Sequence, residues 1–361
     1  MKSYDLSPLR NLSGPIMLTG HTGFKGTWMS MLLQELGIPV VGFSLPPDPN
    51  SLYLRIPKYK RIDGVFGDIR NRKDLEAFIK INKPGAIIHL AAQPLVIDSY
   101  KNPLDTFSTN VQGTAELLDL ALKAPTIKAV VVSTTDKVYR NLGLGEPFKE
   151  TDSLGGRDPY SASKVGTESV LDAWREISRK TSRIPITSLR AGNVVGGGDL
   201  ANNRLLPDLV RGFIHSMPVS IRNPASVRPW QHVLDPLWGY LLALNNSIGK
   251  TESCTPAYNF SADGSALTVQ QVVNISVAHM PQVKEILWSQ TEDSGFAESK
   301  ILKLDSSLAR EELAWDSAWT QEMAIASTMK WWSDFLVEKK DPFSICLNDI
   351  DFLLNSNRLK R

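Results

Sequence analysis

Thr19-Gly20-His21-Thr22-Gly23-Phe24-Lys25-Gly26 sets three glycines at GxxGxxG spacing between an apolar run, Pro15 to Thr19, and a segment of helical periodicity. In that segment Trp28, Met31, Leu32 and Leu36 recur at helical spacing until Gly37 stops it. The location of the glycines matters more than their number. At a strand-to-helix junction, glycine permits a tight turn and close backbone approach, and the helix start offers unpaired N–H groups to a pyrophosphate. A lone triplet is a weak signal; at this junction it reads as a dinucleotide-binding turn.

The same alternation continues downstream. Val40 to Phe43 is a second short strand, Leu75 to Ile81 is helical, Ala86 to Leu90 is a buried strand, Thr114 to Lys123 is helical and Ala129 to Ser133 is another buried strand. Tyr160 to Ser178 reads as a long helix and Ile186 to Arg190 as a further strand. Short apolar strands alternating with helices imply a parallel sheet covered on both faces. After about Asn193 the rhythm changes: prolines at 207, 218, 224, 229 and 236 interrupt short periodic pieces rich in Trp and Arg. The expected fold is therefore α/β, a Rossmann-type doubly wound parallel sheet over residues 1–192 with possible later returns. A smaller α/β C-terminal substrate-binding lobe over 193–340 and a tail over 341–361 follow. That tail is expected to be a peripheral helix or an oligomer contact.

Size and composition agree. The 361 residues, at roughly 150 per domain, predict two domains. With 42% hydrophobic, 22% charged and 8% aromatic residues, the chain can bury a sizeable core. Lys+Arg 40 against Asp+Glu 38 leaves a net charge of +2 with no long basic run, so neither nucleic acid nor a membrane surface is an expected partner. Cys254 and Cys346 form no CxxC and cannot supply a disulfide framework or a zinc site. No metal is expected, and a reducing cytoplasm is the expected location. The N-terminus lacks a signal-peptide core, and nothing approaches the roughly 18 unbroken apolar residues of a membrane span.

Two further groups of residues carry chemistry. Tyr160 and Lys164 lie four apart, hence on one helix face, where the cation is expected to favour phenolate and so lower the tyrosine pKa. The strand Ala129 to Ser133 ends in Thr134-Thr135-Asp136-Lys137-Val138-Tyr139. Strand C-terminal ends are where open α/β sheets place ligands, so a hydroxyl, a carboxyl and an amine arrive where the glycine turn also points. By contrast, the acidic residue expected after the second strand, to hold a ribose, is missing: Phe43-Ser44-Leu45-Pro46 stands there, and Asp48 follows only after two prolines. The choice between NAD and NADP is undecided by that fingerprint. Asp68, in Gly67-Asp68-Ile69, reads either as a turn aspartate or as an adenine contact.

Together these residues resemble the extended short-chain dehydrogenase/reductase family, which includes NAD-dependent epimerases and dehydratases. Its members carry GxxGxxG at the first turn, Ser/Thr near the end of the catalytic strand and YxxxK on the next helix. The resemblance runs over roughly residues 14 to 335. It also rests on His89-Leu90-Ala91-Ala92-Gln93-Pro94-Leu95-Val96, Asp158-Pro159-Tyr160-Ser161, and Arg190-Ala191-Gly192-Asn193 continuing through Val194-Val195-Gly196-Gly197-Gly198-Asp199. Ile221-Arg222-Asn223-Pro224 adds to it, and the most specific parts are Arg228-Pro229-Trp230-Gln231-His232-Val233 and the Asp136-Lys137 pair.

The resemblance implies 4,6-dehydration of a nucleoside-diphosphate hexose, CDP-glucose favoured, by a homodimer or homotetramer with tightly held NAD. It assigns cofactor contacts to Gly20, Thr22, Gly23, Phe24, Lys25, Gly26, Asp68, Ile69, Leu90, Ala91, Ala92, Gln93, Tyr160 and Lys164. It assigns substrate contacts to Gln93, Asn193, Arg204, Arg222, Arg228 and His232, arginines suiting a diphosphate through paired donors. It implies that Tyr160 takes the C4 hydroxyl proton, with Thr135 at the same oxygen, that Asp136 is the acid for the C6 hydroxyl and that Lys137 is the base at C5. A lysine serves as base only in its neutral form. Thr134 competes with Thr135 for the hydroxyl position, and His21 and His89 read as structural. A nucleotide-sugar 4-epimerase would share Tyr160, Lys164 and the glycine turn but has no use for an acid–base pair at C5 and C6. A silent binding protein needs only the glycine turn and the arginines.

Overall fold

A computed structural model describes residues 4–143, 145–182, 184–222, 224–250, 254–262, 266–280, 286–289 and 302–359. Six strands, β1 (Ile16–Thr19), β2 (Val40–Ser44), β3 (Gly64–Phe66), β4 (Ala86–His89), β5 (Val130–Ser133) and β6 (Ile186–Ala191), join a closing strand, Ala257–Phe260. These seven make one sheet in the order closing strand, β6, β5, β4, β1, β2, β3, and every neighbouring pair is parallel. Ile16 is in register with Val40 on one side and Ala86 on the other. The winding direction therefore reverses at β1, and the crevice beyond the C-terminal ends of β1 and β4 is the topological switch point where such sheets take ligands.

Each central strand is buried on both faces, which is why β4 reads Ala-Ile-Ile-His without polar alternation. Alternate residues divide between two cores. Ile16, Leu18, Ile88 and Val131 pack with Trp28 and Leu32 of the helix Phe24–Glu35 and with the helix Leu234–Ser247. Met17, Ile87, Val130 and Val132 face the other way, against Leu117 and Leu171. The long helix Pro159–Lys180 is started by a capping box: Ser161 N–H donates to Asp158 Oδ1 at 2.9 Å, Asp158 N–H donates to Ser161 Oγ at 3.1 Å, and proline takes the first helical position.

His21 projects beneath the sheet edge. A Cβ at Gly42 would lie 2.4 Å from its ring and one at Gly64 2.7 Å, so β2 and β3 are glycine at the points where the imidazole passes. The ring stacks on Phe66 at 6.3 Å, and burial pushes its pKa down to about 4.

Among the described residues beyond β6 there are three small two-stranded ladders: Asn193–Val195 parallel to Trp230–His232, Val219–Arg222 parallel to Ile286–Ser289, and Val227–Arg228 antiparallel to Leu267–Thr268. It then returns. The helix Leu234–Ser247 covers the first core, and Ala257–Phe260 pairs with β6. Residues beyond 341 form the helix Pro342–Leu359, whose Ile345, Cys346, Ile350 and Leu353 are buried against the same core. Seven of the eight tryptophans whose side chains the structure describes are buried as well.

Candidate active site

The glycine turn leaves β1 through Gly20, whose φ of +74° lies in the left-handed region open to glycine. A Cβ there would come 2.9 Å from Ala91 N, and one at Gly26 would come 2.0 Å from Gly20 O. At Gly23, which caps the helix Phe24–Glu35, a Cβ would meet nothing but Gly20 O at 3.3 Å, and no side chain caps the helix amides. A tight turn, an open approach and uncapped N–H groups fit the pyrophosphate of a dinucleotide. Thr22 Oγ1 donates to Leu45 O at 2.9 Å, so Ser44 Oγ, 2.7 Å away, must donate to it. A neutral hydroxyl pair thus stands where a ribose-binding carboxylate was expected.

Asp68 is engaged locally. Both its oxygens accept from Arg70, at 3.0 Å from Nε and 2.6 Å from Nη2, and Arg70 also holds Asp105. These hydrogen bonds hold the Asp68 carboxyl below the usual carboxylate range. Its neighbour Ile69 is buried in the second core. At the end of β4, Leu90 and Ala91 donate their N–H groups to Thr19 Oγ1 at 3.1 and 3.2 Å. Thr19 Oγ1 lies 2.6 Å from His89 Nδ1, and His89 Nε2 lies 3.1 Å from Thr114 Oγ1. Because Thr114 donates to Asn110 O, His89 must donate from Nε2 and accept at Nδ1, a neutral bridge consistent with a pKa pushed down to about 3 by burial. After Ala92, the amide of Gln93 folds onto its own loop, donating to Leu95 O and Thr106 Oγ1 and accepting from Leu95 N.

β5 leads into the run expected to carry the acid and the base. Thr134 and Thr135 diverge: Thr134 Oγ1 donates to Glu168 Oε1 at 2.8 Å and touches Ser188, whereas Thr135 Oγ1 donates to Asp136 Oδ1 at 3.0 Å and is hydrogen-bonded to Tyr160. Asp136 is 5% exposed, and burial raises its pKa against the opposing pull of Lys137, Thr135 and Lys25. Lys137 is half-buried on the single turn Asp136–Val138.

The expected lowering of the Tyr160 pKa is corrected by the structure. Burial pushes that phenol up to about 12, Thr135 opposing only in part. Lys164 points its ammonium at Ser133 O, 3.1 Å away, and is itself brought down to about 8 by burial and by the charge of Lys25. Burial disfavours the phenolate and the ammonium alike.

The residues expected to contact the substrate separate. Arg204 pairs with Asp199 at 2.9 Å, and its charge reaches both Lys25 and Tyr160. Asn193 is half-buried at the start of its ladder, and Arg228 donates to Val227 O at 3.0 Å. The side chain of Arg222 lies outside the described residues. His232 is a correction. It is fully buried, stacked on Trp319 at 4.1 Å and edge-on to Trp28, with Asp349 of the last helix 3.5 Å from Nε2, so it packs in the core and presents nothing to a ligand.

Three residues escaped the reading of the sequence. Tyr240 brings its hydroxyl to 3.3 Å from both Lys25 Nζ and Ser133 Oγ, but its neighbours from Leu237 to Leu244 are apolar or glycine and mark it only as core. Gln231, 2% exposed, donates from Nε2 to Phe260 O at 3.0 Å while its Oε1 is buried without a partner. Gly192 lies between Gln231 and Asp136: a Cβ there would be 3.4 Å from Asp136 Oδ2 and 3.8 Å from Gln231 Nε2. No group of His, Cys, Asp and Glu that could hold a metal ion occurs among the described residues.

Residues 16–258 match the NAD dependent epimerase/dehydratase family. A relative in Salmonella typhimurium, CDP-glucose 4,6-dehydratase, is 38% identical over 88% of this chain and 89% of its own. Among solved structures, UDP-glucose-4-epimerase from Stenotrophomonas maltophila, with bound NAD and formylated UDP-arabinopyranose, superposes with a TM-score of 0.78 at 23% identity, covering 91% of this chain and 100% of that one. The dTDP-glucose 4,6-dehydratase of Bacillus anthracis in complex with NAD gives 0.75 at 24% identity, over 92% and 100%.

Proposed function

Because this chain belongs to the NAD dependent epimerase/dehydratase family, we propose that it dehydrates a nucleoside-diphosphate hexose across C5 and C6, with CDP-glucose as the substrate. One observation supports dehydration over epimerisation: a carboxyl, Asp136, buried and raised in pKa, hydrogen-bonded through Thr135 to the Tyr160 phenol. An epimerase has no task for that acid.

NAD, if bound here, would supply the hydride acceptor for C4 and the hydride donor for C6. The turn Gly20 to Gly26, with Leu90 to Gln93 and Lys164, would hold it. Tyr160, in its phenolate form, takes the C4 hydroxyl proton, a form that a cationic nicotinamide would favour against the burial that raises this phenol to about 12, and Thr135 steadies the same oxygen. The carbonyl so formed acidifies the C5 hydrogen, because the carbanion is delocalised onto oxygen. Lys137 then receives the C5 proton; the electron pair forms the C5–C6 double bond; the C6–O bond breaks; Asp136 gives its proton to the departing oxygen, which leaves as water; and Lys137 gives its proton back to C5 as C6 is reduced. Burial raises the Asp136 pKa and so favours the protonated form from which it can donate.

Asn193, Arg204, Arg222 and Arg228 are the proposed diphosphate and sugar contacts, which makes the segment leaving the main sheet after β6 the nucleotide-sugar side. Tyr100, Leu104 and Phe107 leave large apolar surface exposed on neighbouring short helices, Leu104 at 85%, which supports a homodimer or homotetramer that light scattering would read. The free thiols Cys254 and Cys346 suit a reducing cytoplasm. No helix among the described residues is long and apolar enough to cross a membrane.

Incubating the purified protein and NAD with CDP-, dTDP-, GDP- and UDP-glucose, and following the base-induced absorbance of a 4-keto-6-deoxy product, tests the reading. Turnover is expected to be best with CDP-glucose. No such product from any of the four, or UDP-galactose formed from UDP-glucose in its place, overturns the proposal.

A further inference from the structure

Beyond β5 the chain stays extended at Thr135, so consecutive side chains point to opposite sides, Thr134 to Glu168 and Thr135 to Tyr160. Thr135 caps the turn Asp136–Val138, its Oγ1 accepting from Lys137 N–H at 3.3 Å. The same oxygen is hydrogen-bonded to Asp136 Oδ1, at 3.0 Å, and to Tyr160, and all three side chains are buried. A threonine hydroxyl has one hydrogen and two lone pairs. With the Lys137 amide on one lone pair, the other lone pair and the single hydrogen serve Tyr160 and Asp136, one each. When Asp136 is ionised, that hydrogen goes to the carboxylate, and Tyr160 must be a phenol donating to Thr135. When Tyr160 is a phenolate, the hydrogen goes to it, and Asp136 must be an acid donating to Thr135. The two arrangements have the same atoms and the same charge, and differ only in the places of two hydrogens.

The dehydration described above carries the site from the second arrangement to the first. Tyr160 begins as phenolate and ends as phenol, holding the hydrogen of the C4 hydroxyl. Asp136 begins as acid and ends as carboxylate, its hydrogen gone with the C6 oxygen. The C5 proton goes to Lys137 and back, and the hydride leaves C4 and arrives at C6, so neither step restores these two residues. We propose that Thr135 returns the proton: Tyr160 gives its hydrogen to Thr135 Oγ1 while Thr135 gives its own to Asp136 Oδ1. O–H bonds break at Tyr160 and Thr135, O–H bonds form at Thr135 and Asp136, and solvent neither gains nor loses a proton. The inference rests on the dehydratase reading. It makes Thr135 the link that readies the site for each new substrate, in addition to its place at the C4 oxygen.

The test follows turnover of CDP-glucose by wild type, Thr135→Val and Thr135→Ser, each loaded with NAD, at fixed pH and ionic strength as formate or imidazole is raised. These small acids and bases can take the Tyr160 proton and supply the one Asp136 lacks. Thr135→Ser keeps the hydroxyl and should hold kcat within about threefold of wild type, and neither protein should respond to the added carrier. Thr135→Val should lose about 10–100-fold and regain about fivefold or more as the carrier rises. A threonine that only steadied the C4 oxygen would give the loss without the recovery. A second measurement needs no variant: a single turnover of wild type in weak buffer with a pH-indicator dye, set against a control for CDP binding, should show no transient exchange of protons with the medium. Thr135→Val indifferent to both carriers, Thr135→Val turning over like wild type, or a wild-type transient approaching one proton per site overturns the inference and leaves the dehydratase reading standing. A wild type inert on every nucleoside-diphosphate glucose removes both.

Discussion

Thr134 and Thr135 are neighbours of identical chemistry, and the fold gives them different work. Thr134 serves Glu168, so Thr134→Val leaves a buried carboxylate one donor short and is expected to cost about 1–2 kcal/mol of stability with little change in kcat. Thr135→Val removes the link between Asp136 and Tyr160, and is expected to lower kcat about 10–100-fold while thermal unfolding stays near wild type. Steady-state kinetics beside thermal melts separate the two, and the reverse pattern would exchange the assignments. Lys164 gives a prediction in pH. Its pKa falls from 10.5 unfolded to about 8 folded, mainly through burial, so at pH 7 both states carry the proton and the folded state bears the whole desolvation cost. Between pH 8 and 10.5 the unfolded chain binds the proton and the folded one does not, so wild-type stability rises with pH across that window. Lys164→Met should therefore melt above wild type at pH 7 while losing activity, and its advantage should shrink toward pH 10. Melting curves at pH 7, 8.5 and 10 check this; an advantage constant across the three would put the cause elsewhere than in the ammonium.

At the scale of elements, the helix Pro159–Lys180 is fastened to the sheet by a buried ion pair. Arg190 of β6 meets Glu168 with Nε and Nη2, each at 2.9 Å, and reaches Tyr139 with Nη1. The arginine and two hydroxyls hold the Glu168 carboxyl below its usual range in spite of burial. Arg190→Leu should therefore destabilise by about 3–5 kcal/mol, and Arg190→Leu with Glu168→Leu should recover part of it, because removing both charges removes an uncompensated one. Denaturant unfolding of the three variants reads the coupling; simple additivity would deny it. This pair also marks how far sequence reading reaches. The glycine turn, the strand-helix alternation and the Tyr160–Lys164 spacing are local patterns, and each was legible in the chain. Thr134 against Thr135 was not, because the choice depends on Glu168, 34 residues on. The orientation of Gln231 and His232 was not, because a strand of three residues is too short to display its period. Nor was the direction of the Tyr160 shift, since spacing puts a cation beside a phenol but does not say that water is excluded from both.

At the scale of the whole molecule, the segment after β6 and the sheet share one core. The last helix, Pro342–Leu359, lies far along the chain from the site, yet its Asp349 approaches His232 in the motif richest in resemblance, and its Phe352 stands against Trp319. A chain ending at Asp341 would expose Trp331 and the apolar face that Ile345, Cys346, Ile350 and Leu353 now cover. At roughly 1.5–3 kcal/mol for each large side chain, that loss is comparable with the entire stability of an ordinary domain. The truncated protein is expected to melt at least 10 °C lower or to aggregate, as thermal unfolding and light scattering would show; a wild-type melting curve would make the helix an ornament. The passage of His21 beneath β2 and β3 has a historical consequence. Gly42 and Gly64 lack side chains because an imidazole occupies that space, so the three positions can change only in a certain order across descendants of this chain. Residue 21 has to shrink before either strand can acquire a methyl group. Lineages that keep histidine should keep both glycines, while lineages that lost it are free at all three.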